Sequence, residues 1–146
     1  MSWTRCIAAM AAFGCGLMLS SQLSRAVDEA PLNLSCKFQT GASGSYENGT
    51  FKSQPASQLA FEISDINLEI QAAKIRVDGK VAGPLRIVRA LNANHYLEVA
   101  NEGFLNLTTV YDLDPAVNAY PAVHSRHFGL FGQPVFAQYT GLCTPM

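Results

Sequence analysis

The chain has 146 residues, a formal net charge of −1 and 14% charged side chains against 49% hydrophobic ones. That length supports one hydrophobic core and is too short for two domains of ordinary size. With near-neutral charge and dispersed basic residues, the composition also excludes a surface built to hold nucleic acid.

The first 26 residues have the layout of a secretory leader: Arg5 in a short polar start, an apolar run from Cys6 to Leu19, then Ser24 and Ala26 where a signal peptidase needs small residues. We expect cleavage after Ala26, leaving one domain over residues 27–146. An uncleaved anchor is the rival reading, but about 14 apolar residues fall short of the roughly 20 that span a bilayer core. A lipid-modified Cys15 after Gly14 is a poorer fit, because the apolar residues continue through Leu17, Met18 and Leu19. Processing removes Arg5, Arg25 and the only tryptophan, Trp3, so the mature chain is mildly acidic and lacks tryptophan.

Cys6 and Cys15 leave with the leader, and of the four cysteines only Cys36 and Cys143 remain. One pair at opposite ends of an exported chain implies an oxidising compartment and a disulfide between first and last strands.

Alternation of period two begins at Leu32, Leu34, Cys36 and Phe38, which turns Cys36 toward the core. After a Gly and Ser stretch, Asn48-Gly49 marks a hairpin, since both central positions of a type I′ turn take positive φ. Leu59, Phe61 and Ile63 then alternate, as do Ile66, Leu68 and Ile70 with the parity shifted by one, which requires a bulge or turn at Ser64-Asp65. Lys74–Val77 reads as a strand closed by Asp78-Gly79, and Leu85–Leu91 as another that begins after Gly83-Pro84. His95–Val99 and Phe104–Tyr111 form the next hairpin, through Asn101-Glu102-Gly103. A loop from Asp112 to Pro121 follows, a strand lies within Ala122–Phe131, and Gly132-Gln133-Pro134 reverses the chain. In the last strand Val135, Ala137, Tyr139, Gly141 and Cys143 share one face.

About eight short strands, turn signals at close intervals and no amphipathic helix predict an all-β antiparallel domain. A closed barrel is preferred to a sandwich, because a Cys36–Cys143 bridge makes the terminal strands neighbours and removes two exposed edges.

Candidate binding residues concentrate in His124-Ser125-Arg126-His127, with His95 the remaining histidine. In an extended strand His124 and Arg126 share one face while Ser125 and His127 share the other, which argues against both a two-histidine metal site and a Ser–His nucleophile. No Gly-x-Ser-x-Gly elbow surrounds Ser125. Arg126 beside His124 suits a small anion or carboxylate. Asn33, Asn48 and Asn106 stand in Asn-x-Ser/Thr triplets, but they fall in strands or a tight turn, so they read as chance matches.

The stretches Thr108–Tyr111, Ala122–His127, Gln138-Tyr139 and Gly141–Cys143 resemble the C-terminal half of small exported bacterial proteins of unassigned function. That resemblance implies a bacterial envelope and brings no catalytic residues.

The expectation is a non-enzymatic exported barrel, in the periplasm or outside the cell. It would have no cofactor, resident metal, nucleic-acid partner or stable membrane span, and would bind a small apolar or anionic ligand or another envelope protein. The alternative is a hydrolase or metal-dependent enzyme centred on His124, Arg126 and His127.

Overall fold

The structure, a computed structural model, describes residues 31–100 and 103–146. The expected leader with Trp3, Cys6 and Cys15, and the Asn101-Glu102 part of the expected hairpin, lie outside the described residues. The strands are β1 (Leu34–Glu47), β2 (Thr50–Pro55), β3 (Leu59–Asn67), β4 (Ala72–Val77), β5 (Lys80–Arg89), β6 (Ala93–Ala100), β7 (Phe104–Tyr111), β8 (Tyr120–Leu130) and β9 (Gln133–Pro145). Among the described residues there is no helix.

Every pairing is antiparallel, and β3 through β8 are each hydrogen-bonded to the next strand in sequence. β1 closes the ring, pairing with β3 from Leu34↔Ile63 to Phe38↔Leu59 and with β9 from Leu34↔Pro145 to Ser45↔Val135. The result is a closed barrel of eight strands, with β2 outside the ring as the return arm of a hairpin on Ala42–Glu47. Closure satisfies the ladder of both terminal strands, as expected from the cysteines.

Cys36 and Cys143 are direct cross-strand partners, fully buried and disulfide-bonded, with Cα atoms 4.0 Å apart and a sequence separation of 107. Around them Leu34, Phe38, Ile63 and Ile87 are buried to 2% exposure or less. Burying each such side chain stabilises the fold by about 1.5–3 kcal/mol. This apolar packing fills the end of the barrel where the described chain begins and ends.

Turn chemistry explains most strand limits. Asn48-Gly49 (φ 51° and 81°) and Asp78-Gly79 (φ 50° and 72°) take the left-handed pair of a type I′ turn. Asp65 has φ 54° where the β3–β4 register shifts between Ser64 and Asn67, the site of the expected bulge.

Four expectations need correction. The Gly and Ser residues after Thr40 do not interrupt β1, because β2 and β9 pair with both edges of that stretch. β3 does not continue through Leu68 and Ile70, because Asn67 Oδ1 accepts the backbone N–H groups of Glu69 and Ile70 (3.0 and 3.1 Å) and ends the ladder; Ile70 is exposed. β5 starts at Lys80 and runs through Pro84 rather than starting after it. Its described pairing with β6 begins only at Arg86, so proline falls where one edge is open. Phe131-Gly132 (φ 49° and 79°), not Gly132-Gln133-Pro134, makes the last turn.

The outer wall has two characters. Outward positions of β3–β5 carry Glu62, Lys74, Arg76 and Arg86, with ion pairs Arg76–Glu62 at 3.8 Å and Lys74–Asp65 at 3.1 Å. Outward positions of β6–β9 carry no Lys, Arg, Asp or Glu among the described residues; Leu97, Val99, Leu105, Leu107, Val123 and Phe136 stand there among Ser, Thr, Gln and the two histidines His95 and His127.

Candidate functional site

Register arranges the inner surface in cross-strand rows. One row runs Glu98, Asn106, Arg126, Ala137 and Ser43, and the next, deeper in the barrel, runs Tyr96, Thr108, His124, Tyr139 and Gly41. Polar groups thus lie inside the barrel directly above the apolar end. Such groups are costly unless they bond to one another or to something that enters.

His124 is 1% exposed, among the rings of Phe61, Phe38 and Tyr139 at centroid distances of 5.1, 5.7 and 6.0 Å. Arg126 Nε–H donates to its Nε2 at 3.1 Å. An Nε2 that accepts carries no proton, so the proton sits on Nδ1, which donates to Thr108 Oγ1 at 2.8 Å. Burial, and secondarily the charge of Arg126, pushes the imidazole pKa down to about 4, so the ring is neutral at pH 7. Tyr96, 2% exposed in the same row, is pushed up to about 12, first by burial and then by Tyr120.

The Arg126 guanidinium lies 5.9 Å from the Tyr139 ring centroid. Among the described residues no carboxylate comes within 4.0 Å of it. Glu98, two strands away in the same row, instead accepts a hydrogen bond from Asn106 Nδ2 at 2.7 Å. One row nearer the rim, Phe104 and Phe128 stack at 4.9 Å beside Val135. A groove of about 340 Å³ continues from there along the β1–β2 hairpin, lined by Ser43, Ser45, Gln54 and Val135. At its far end Lys52 pairs with Glu47 at 3.2 Å, and Ser45 Oγ donates to Glu47 at 2.7 Å. The Ser45 hydrogen bond, then Lys52, hold the Glu47 carboxyl below its ordinary pKa.

The four residues singled out from the sequence therefore separate. His124 and Arg126 meet inside the barrel, whereas His127 and His95 face outward. His127 lines a groove of about 650 Å³ with Phe51, Leu105, Ser125 and Phe136, and the same groove also borders Phe128, Val135 and Ala137. His95 Nδ1 lies 2.9 Å from Thr109 Oγ1. Among the described residues no three His, Cys, Asp or Glu side chains converge as metal ligands.

Thr108, Asn106 and Tyr139 complete the interior site and were not singled out. Their inward parity is readable once β7 and β9 are aligned with β8, but that alignment is set by pairing across the chain. Asn106 lies inside the wall, bonded to Glu98, which agrees with reading its glycosylation triplet as chance.

Chemically, His124 is a poor general base, since both nitrogens are engaged within the wall. Arg126 retains donors beyond Nε, and these suit an anion. No family model matches the chain, and neither the curated proteins nor the solved structures contain a significant match to it.

Proposed function

We propose that the protein is an exported, non-enzymatic binding barrel that takes up a small molecule in the polar part of its interior. The observation that carries this reading is the division of the interior. One end is packed with apolar side chains around the disulfide, while the rows above place Glu98, Asn106, Arg126 and His124 beside the small residues Ala137 and Ser43. A few converging polar groups in a concave, partly apolar setting are the ordinary features of a ligand site. Export is supported by the leader-like residues 1–26 and by a bridge of the kind that persists outside the cytosol.

A catalytic role centred on His124, Arg126 and His127 would need these side chains on one surface. His124 and Arg126 point inward and His127 outward, which weighs against that role. A second reading, contact with another copy of the chain, is favoured by the outer wall of β6–β9, which could face itself with no charge repulsion at neutral pH.

Native mass spectrometry of mature protein recovered under mild conditions tests the main reading. A small-molecule adduct lost on unfolding is the expected result. A clean mass, together with a melting temperature unmoved by a panel of small carboxylates, alcohols and metal ions, would overturn it. Light scattering on the same sample addresses the second reading, which a monomer at all concentrations would eliminate.

A further inference from the structure

Resting on the interior binding reading, we propose that Arg126 is an anion seat, and that the ligand is an amphipathic monoanion whose carboxylate meets the Nη edge of Arg126 while its apolar body lies against Phe104, Phe128 and Val135. Three observations converge on this class.

The first is the state of the guanidinium. It is partly buried inside a barrel, yet its described contacts are a neutral imidazole, which takes Nε–H, and the face of Tyr139. Neither brings a negative charge. A desolvated cation without a counter-charge is costly, and an anion from outside relieves that cost. Because Nε is anchored on His124, the paired Nη groups remain for the fork geometry that matches a carboxylate. Thr108 Oγ1 accepts from Nδ1–H and fixes the orientation of the imidazole that accepts from Arg126, so His124 and Thr108 are positioning residues for the seat.

The second is the disposition of Glu98. It stands in the same row, but Asn106 occupies the position between them and donates to its carboxylate at 2.7 Å. The acid is therefore held two strands away, roughly 10 Å at ordinary strand spacing. Its charge also disfavours a second negative group on that side, so a monoanion fits better than a dianion.

The third is what lies next to Arg126. Ala137 and Ser43 follow it in the row and are small, and one step toward the rim stand the stacked Phe104 and Phe128 with Val135. Charge below and apolar surface above describe a carboxylate with a short hydrocarbon body.

Calorimetric titration of mature protein with octanoate, and separately with octanol, tests the proposal on the wild type, Arg126→Gln and Arg126→Lys, each checked for fold by circular dichroism. Octanoate should bind the wild type, bind Arg126→Lys more weakly, and lose roughly tenfold or more in affinity in Arg126→Gln, whereas octanol should not distinguish the variants. Should Arg126→Gln fail to fold, the ¹⁵N resonances of the Arg126 side chain in wild-type protein should still shift on adding octanoate and not octanol. Equal octanoate binding by wild type and Arg126→Gln, or unshifted Arg126 resonances, would overturn the seat and leave the barrel's binding role intact if native mass spectrometry finds a neutral adduct. Absence of octanoate binding to the wild type at millimolar concentration would also overturn it.

Discussion

At the scale of single residues, His124 has the clearest consequence for stability. Its folded pKa of about 4 lies below the ordinary 6.5, so between those values the unfolded chain binds more protons than the folded one. The corresponding stability is fully present above pH 6.5 and is lost as pH falls toward 4, about 3 kcal/mol in all. Urea midpoints should therefore fall between pH 7 and 5 in the wild type and fall less in His124→Gln; equal slopes would show that this imidazole is not the group responsible. Gly141 makes a steric prediction. A Cβ there would press on the Lys37 carbonyl and come within 2.7 Å of Phe38 Cα, both backbone of the neighbouring strand, just where β1 bulges between Phe38 and Thr40. Gly141→Ala should cost about 1–3 kcal/mol, read as a lowered urea midpoint with unchanged m. That Cys36 and Cys143 point inward, and that His124 and Arg126 share a face, was legible from alternation alone; that this face is the interior was not. That Arg126 donates to His124, and that Asn106 holds Glu98 away from Arg126, was not, because each depends on which residue of the next strand lies opposite.

At the scale of elements, the turns were the most legible parts, since Asn-Gly and Asp-Gly specify positive φ locally. Gly49 has open space around its Cβ position and φ of 81°, so Gly49→Ala should cost only the backbone term, about 1 kcal/mol, measurable by thermal melting. A loss much larger than this would mean that the tip touches something in solution. Strand limits were misread where the ladder overrode local signals. Gly and Ser in β1 are carried by partners on both edges, and Pro84 is accepted where β5 lacks one. Phe131 in a positive-φ turn has no local explanation; it follows from the β8–β9 register, which pairs Leu130 with Gln133 and leaves Phe131 and Gly132 to turn.

At the scale of the whole molecule, the disulfide and the β1–β9 ladder close the same seam. Replacing Cys36 and Cys143 together by Ala should lower stability by about 4–5 kcal/mol if restriction of the unfolded chain over 107 residues dominates. Against a typical net stability of about 5–15 kcal/mol, the variant should be marginal, and denaturant unfolding of oxidised and reduced protein gives the direct comparison. The bridged chain should also weigh about 2 Da less than the reduced one. Local sequence alone determined the all-β class, the hairpin tips, the inward cysteines and the face shared by His124 and Arg126, because alternation and turn chemistry are properties of a few consecutive residues. Only the tertiary structure decided that the sheet closes, that β2 stays outside the ring, that the outer wall of β6–β9 gathers the uncharged residues, and that Arg126 meets His124 with no described carboxylate in reach. Those outcomes depend on register between strands distant in sequence, and a one-residue slip in any of them would place different side chains together.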